Sequence, residues 1–312
     1  MTQSNAKTLL LLKPRGFCAG VVRAIDIVRI ALENFGAPIY VRKEIVHNRY
    51  VVDELSAKGA IFVDSVQEVP AGERIIYSAH GVAPEVRDAS KLRELRVIDA
   101  TCPLVTKVHV EAVKFAREGY SLILIGHRDH DEVIGTLGEA PNVTQVVDSP
   151  EEVEDLQVPD PNRVAYLTQT TLSLDETSHV IAALRKRFPN IQGPHAQDIC
   201  YATENRQTAV KDVAGECDLL LIVGSDNSSN SNRLVEVARR HGASAHLLDS
   251  QADLRLSWLA GRRRIGVTAG ASAPPELVQE VVDCLAGLGP ISIEERSTGR
   301  ENVFFPLPLE VR

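Results

Sequence analysis

Three α/β units in tandem, each a parallel sheet with helices on its faces, are the fold the sequence predicts, and three observations carry that expectation. First, an apolar run ending in a cysteine and opening a helical pattern occurs three times: LLLLKPRGFCAGVVRAIDIV, RVIDATCPLVTKVHVEAV and PHAQDICYATENRQTAV. Second, a polar residue closing the next strand-like run, His47, His130 or Ser228, follows its cysteine by 29, 28 and 28 positions. Third, two more apolar runs recur in the same order, GAIFVDS, VTQVVDS and SAHLLDS, then IIYSAHG, VAYLTQTT and IGVTAGAS. Four features repeated three times in order exceed coincidence.

Each element has its own justification. After Cys18, the residues Val21, Ile25, Val28 and Leu32 keep helical spacing, as do Val105, Val108, Ala112 and Phe115 after Cys102. After Cys200 the first turn is polar (Thr203, Glu204, Asn205) and the apolar face begins with Ala209 and Val213. The runs APIYV, YSLILIG and CDLLLIVG read as strands. The stretch 149–162, acidic and proline-containing, reads as a surface connection, and the tail from Ile291 as a wrap over the outside of a domain. The units are bounded at 1–101, 102–199 and 200–312. Alternating strands and helices imply parallel sheets, and ligands of such sheets lie beyond the strands' carboxyl ends. The cysteines, His47, His80, His130, Thr170, Ser228 and Ser272 all follow strands. Three rims converging on one central site are therefore expected.

Composition narrows the function. The 312 residues are 44% apolar and 24% charged, as in folded soluble proteins. A net charge of −8 removes the electrostatic footprint of a nucleic-acid binder. No apolar run approaches the length of a membrane span, and the opening stretch lacks a signal peptide's apolar centre, so a cytoplasmic protein is expected. There is no Walker-type loop and no dinucleotide fingerprint. The five cysteines contain no C-x-x-C pair, which argues against zinc ribbons and thioredoxin-type motifs.

A cysteine just before a helix gains thiolate character from the partial positive charge there. Thiolates suit soft metals, including the iron of iron–sulfur clusters. Cubane clusters normally take four cysteines, so three leave one iron open to a substrate. Cys217 and Cys284 break the repeat and read as core residues. Glu132, within the ionisable run 127–132, is the candidate general acid, since burial raises a carboxyl pKa. Thr170 is placed to hydrogen-bond a hydroxyl or relay that proton. Ser228, Ser229 and Asn230, with His47, His80 and Ser272, suit an anionic, oxygen-rich group such as a diphosphate. His109 and the other histidines read as structural or surface residues.

Together RGFCAGVVRAI, VHN, SAHGV, DATCPLV, LIGH, TQTTLS, DICYAT, NSSNSNRL and VTAGASAP resemble the 4-hydroxy-3-methylbut-2-enyl diphosphate reductases, the last enzymes of the methylerythritol phosphate route to isoprenoids. The resemblance runs from about Arg15 to the ENVFFPLP tail. It implies a trefoil of three α/β domains around one [4Fe-4S] cluster, with Cys18, Cys102 and Cys200 as ligands. It implies a diphosphate clamp of His47, His80, Ser228, Ser229, Asn230 and Ser272. Around the hydroxymethyl end it implies His130, Glu132 and Thr170, with Glu132 supplying protons. The implied reaction is a two-electron reductive loss of water giving isopentenyl and dimethylallyl diphosphates, with electrons from ferredoxin or flavodoxin. One departure stands out: Asp131 occupies the place where the family pattern usually has proline.

Two rival readings differ in class. A zinc hydrolase would use His127, His130 and Glu132 with one cysteine, and leaves the repeated cysteines without a role. A cluster-bearing sensor protein would need neither a diphosphate clamp nor a proton donor.

Overall fold

In the computed structural model, which describes residues 7–312, the repeated pattern becomes three parallel sheets. The chain opens with β1 (Lys7–Lys13) and α1 (Ala19–Phe35), then β2 (Ile39–Arg42), α2 (Arg49–Ala57), β3 (Ala60–Val63), β4 (Arg74–Tyr77), α3 (Pro84–Leu92) and β5 (Arg96–Asp99). It continues through α4 (Pro103–Arg117), β6 (Ser121–Ile125), α5 (Asp131–Glu139), β7 (Thr144–Val147), β8 (Val164–Thr168) and α6 (Leu174–Arg187). The last third holds α7 (Tyr201–Ala214), β9 (Leu219–Val223), α8 (Ser229–Arg240), β10 (Ser244–Leu248), α9 (Leu256–Leu259), β11 (Arg264–Ala269), α10 (Pro275–Gly287) and β12 (Ile291–Ser297). No described helix is long and apolar enough to cross a membrane.

The strand orders are β3-β2-β4-β5, β7-β6-β8 and β10-β9-β11-β1-β12. All three follow one plan, in which the strand leading to the next cysteine lies beside β4, β8 or β11. In the first sheet that strand is β5, which runs into Cys102. In the second it shrinks to a single parallel bridge between Ala165 and Gln192, ahead of Cys200. In the third it is β1, ahead of Cys18. So β1, which sequence order groups with residues 1–101, pairs with β11 and β12 in the sheet of 200–312. The reason is that a parallel strand takes its neighbour by edge geometry and burial, and sequence adjacency places no constraint on that choice.

Alternation along each strand splits the apolar residues between two faces. Leu9, Leu11, Leu219, Leu221 and Val267 join α10 residues in one core, while Leu10, Leu12, Leu220 and Ile222 pack with α7 and α8 in another. The second sheet repeats this, with Ile123, Ile125 and Tyr166 on one side and Leu122, Leu124 and Leu167 on the other. Burial on both faces explains why β9 reads as an unbroken apolar run and β8 as one up to Thr168.

The chain forms two compact bodies. One comprises Met1–Ala19 (described from residue 7), His47–Val51 and Tyr201–Phe304; the other comprises Gly20–Val46, Val52–Cys200 and Phe305–Arg312. The first body therefore holds the third sheet, and the second holds the other two.

Candidate active site

Each repeated cysteine stands one residue before a helix: Cys18 before α1, Cys102 before α4 and Cys200 before α7. Each backbone N–H is anchored the same way, to a carbonyl in the loop after a neighbouring strand. Cys18 N donates to Ala271 O (3.1 Å), Cys102 N to Ala79 O (2.9 Å) and Cys200 N to Thr170 O (3.0 Å). Those loops carry Ser272, His80 and Thr170. All three cysteines lie outside any disulfide and are half-buried. Cys217 differs: it is buried in the core, and burial pushes its thiol up to about 11. Cys284 sits half-buried on α10, off the core-only placement expected for it. A thiol at a helix start gains the thiolate character that soft metals favour, and the core thiol does not.

In the second body, β6 and the start of α5 position His130 and Glu132. His130 caps α5, its Nδ1 accepting from Glu132 N at 3.2 Å, so the neutral ring carries its proton on Nε2. Glu132 is buried; its Oε1 accepts from Thr170 N at 2.6 Å and its Oε2 from the Thr170 hydroxyl at 3.1 Å. Burial drives its carboxyl up to about 7, against the lowering effect of the two Thr170 hydrogen bonds, with the Asp198 charge adding to the rise. A carboxyl so placed exists as acid and base in comparable amounts near neutrality. The rings of His80 and His130 meet edge to face, with centroids 5.7 Å apart. The second body thus brings together His80, His130, Glu132 and Thr170.

Asp131 is the first residue of α5, where a missing N–H leaves no intrahelical bond unmade. His130 before it is extended (φ −78°, ψ 134°), the conformation that a following proline demands. The backbone therefore accommodates either residue at this position. Asp131→Pro is expected to leave turnover within about twofold and the melting temperature nearly unchanged, as for other compatible proline sites; thermal melts and steady-state rates check this.

In the first body, Ser228 caps α8, accepting from Ser231 N (3.3 Å) and from the Ser231 hydroxyl (3.0 Å). Its Oγ lies 3.5 Å from that of Ser272, whose hydroxyl donates to His47 O at 2.9 Å. Asn230 Oδ1 accepts from Ala271 N at 2.8 Å, and its amide donates to Thr203 Oγ1 at 3.4 Å. Ser229, the first residue of α8, is half-buried. The α8 start approaches the strand ends so closely that a Cβ on Gly270 would lie 2.0 Å from Ser231 Oγ. Hydroxyls at a helix N-terminus form an anion-binding arrangement.

Three charged residues, the half-buried Lys107 and the buried Asp198 and Arg206, were not singled out in the sequence. Lys107 on α4 donates to Ala196 O, to Gln197 O (3.2 Å) and to Asp198 Oδ1 (2.9 Å), while Asp198 Oδ2 accepts from Thr168 N (2.9 Å). This pair ties the helix that follows Cys102 to the segment that leads into Cys200. Burial raises the Asp198 carboxyl to about 6 despite Lys107. Arg206, completely buried, donates to Gly16 O (2.7 Å), two residues before Cys18, and pairs with Glu301 of the tail (2.9 Å). The signal for each was a charged residue inside an otherwise packed pattern, but nothing local names its partner. Lys107→Met leaves Asp198 buried without its cation, and about 3 kcal/mol of stability should be lost in urea denaturation at pH 8.

The sequence matches the family described as LytB protein over residues 9–286. It is 56% identical over 309 residues to the 4-hydroxy-3-methylbut-2-enyl diphosphate reductase of Mycolicibacterium vanbaalenii, covering 99% of this chain and 92% of that one. The solved E-1-hydroxy-2-methyl-but-2-enyl-4-diphosphate reductase of Plasmodium falciparum superposes with a TM-score of 0.95 at 42% identity, over 98% of this chain and 97% of that one. A second solved structure, of an (E)-4-hydroxy-3-methyl-but-2-enyl diphosphate reductase named as the terminal enzyme of the non-mevalonate pathway, matches at 30% identity with a TM-score of 0.64, covering 90% and 99%.

Proposed function

The chain belongs to the LytB protein family, and from that premise we propose that it is an iron–sulfur reductase of 4-hydroxy-3-methylbut-2-enyl diphosphate, active in the cytoplasm. One observation carries the reading: a cysteine outside any disulfide recurs at a helix start, at Cys18, Cys102 and Cys200, each with its backbone N–H anchored to a loop bearing a polar candidate residue. Those thiols would hold one [4Fe-4S] cluster. When bound, the cluster supplies electrons one at a time, received from a ferredoxin or flavodoxin, and an open iron for the substrate's hydroxyl oxygen.

The protein's own groups do the rest. His47, His80, Ser228, Ser229, Asn230 and Ser272 bind the diphosphate through N–H and O–H donors. His130 and Thr170 orient the hydroxymethyl end. The allylic C–O bond breaks, two electrons and two protons enter, water leaves, and the new C–H bond at either end of the allyl unit gives isopentenyl or dimethylallyl diphosphate. Glu132 delivers protons, with the Thr170 hydroxyl fixing its carboxyl.

The test is iron and acid-labile sulfide per chain after anaerobic purification, with Mössbauer spectra before and after adding the hydroxylated diphosphate. One iron site changing on addition is the expected result. No iron or sulfide after anaerobic reconstitution would overturn the reading, and zinc in its place would favour the hydrolase.

A further inference from the structure

We infer that His109 is a positioning residue for the His80–His130 pair, a spacer that fixes the loop after β4 against the first turns of α5. The inference rests on the functional reading above for its consequence, and on geometry for its substance. His109 lies on α4 and is buried. Its ring fills the space between two glycines: a Cβ on Gly81 would lie 3.1 Å from its Cε1, and one on Gly135 would lie 3.3 Å from Cε1 and Nε2. Gly81 follows His80 directly. Gly135 lies one turn beyond Glu132, on the helix that His130 caps. The thickness of one imidazole therefore sets how close these two backbones come, and with it the 5.7 Å separation of the His80 and His130 rings.

The orientation of that ring is fixed by charge. Nδ1 lies 3.0 Å from Glu139 Oε1, at the end of α5. The same carboxylate accepts from Arg87 NH2 on α3 at 2.7 and 2.9 Å, and Arg87 also donates to Val82 O (3.3 Å). With the Glu139 carboxylate as acceptor, Nδ1 holds the proton. Nε2 is then a buried acceptor, with no hydrogen-bond partner among the described residues. Burial also holds the imidazole below its usual pKa, consistent with a neutral ring.

A residue needed only for bulk would not be held by a carboxylate that a second cation also grips. Nor is the ring wedged on every side, since it lines a cavity of about 710 Å³ shared with Val110 and Val113. Glu139 and Arg87 hold it.

The test uses Gly135→Ala and His109→Leu in the full-length enzyme. Alanine is the better helix former by about 1 kcal/mol, so Gly135→Ala should not weaken the fold through backbone propensity. It acts by pressing on the imidazole. Affinity for the hydroxylated diphosphate is measured calorimetrically without an electron donor, beside KM, kcat, melting temperature and the ¹⁵N imidazole signals of His80 and His130.

Both variants are expected to bind about tenfold more weakly, a modest cost for misplaced contacts, with shifted imidazole signals. On a His109→Ala background the added methyl has room, and Gly135→Ala should then change affinity less than about twofold, the non-additivity of groups in contact. Wild-type affinity in both single variants overturns the inference. If His109→Leu does not fold, Gly135→Ala alone decides. If the unmodified enzyme does not bind the diphosphate, the functional reading fails, and unmoved imidazole signals would then overturn the positioning as well.

Discussion

Cys102→Ser is expected to lose most of the iron and sulfide and to turn over at least ~100-fold more slowly, since a direct ligand should cost no less than the upper range for its supporting partners. Cys102 caps the start of α4, its N–H is held by Ala79 O, and Pro103 follows it, so serine fits the backbone. Serine is also a good N-cap. The apo chain should therefore fold, and the melting temperature should fall only by the stabilisation the bound cluster contributes. Cys284→Ser, on α10, is the control and should retain full iron. Normal iron in Cys102→Ser would remove that thiol from the ligand set.

Glu132→Gln is expected to keep iron and bind the diphosphate, yet turn over about 100-fold more slowly, the lower range for lost general-acid catalysis. The amide can still accept from Thr170 N and donate to Thr170 Oγ1, so the buried contacts survive. The wild-type rate should fall as pH rises through about 7, where Glu132 gives up its proton. The stability sign runs the same way. A carboxyl whose pKa is raised to about 7 on folding holds its proton more tightly in the native state, so native stability declines as pH rises from about 4.5 to about 7. Glutamine has no such proton, and above pH 7 the variant should melt higher than wild type. A flat pH–rate profile with near-normal turnover would place the proton donor elsewhere.

How far the sequence reached can be argued from particular residues. The placement of the cysteines, His130, Glu132 and Thr170 at strand ends and helix starts was legible because such positions leave a local mark: an apolar run, then a polar residue in a repeated register. The three parallel sheets were legible for the same reason. Lys107, Asp198 and Arg206 were not singled out, and His109 was read only as structural or surface, because their meaning lies in partners distant along the chain. Lys107 meets Asp198 across 91 positions, and Arg206 meets Glu301 across 95. A lone lysine or histidine at helical spacing looks the same whether it faces water or a buried carboxylate. The pairing of β1 was hidden too, because a parallel strand carries no record of which neighbour it takes.

That pairing has a consequence for biosynthesis. Lys7 reaches the Leu259 carbonyl across 252 positions, and β1 lies between β11 and β12, the last strands to be made. At roughly 5–20 residues per second, a ribosome leaves β1 without a partner for tens of seconds. Residues 52–200 can meanwhile condense on β6 and β8. The nascent N-terminus must stay unaggregated until the C-terminal strands emerge. Cys18, at the end of that waiting strand, is translated first among the three thiols and reaches its anchor at Ala271 last. Truncation before Arg264 should therefore leave the N-terminal strand a target for proteases.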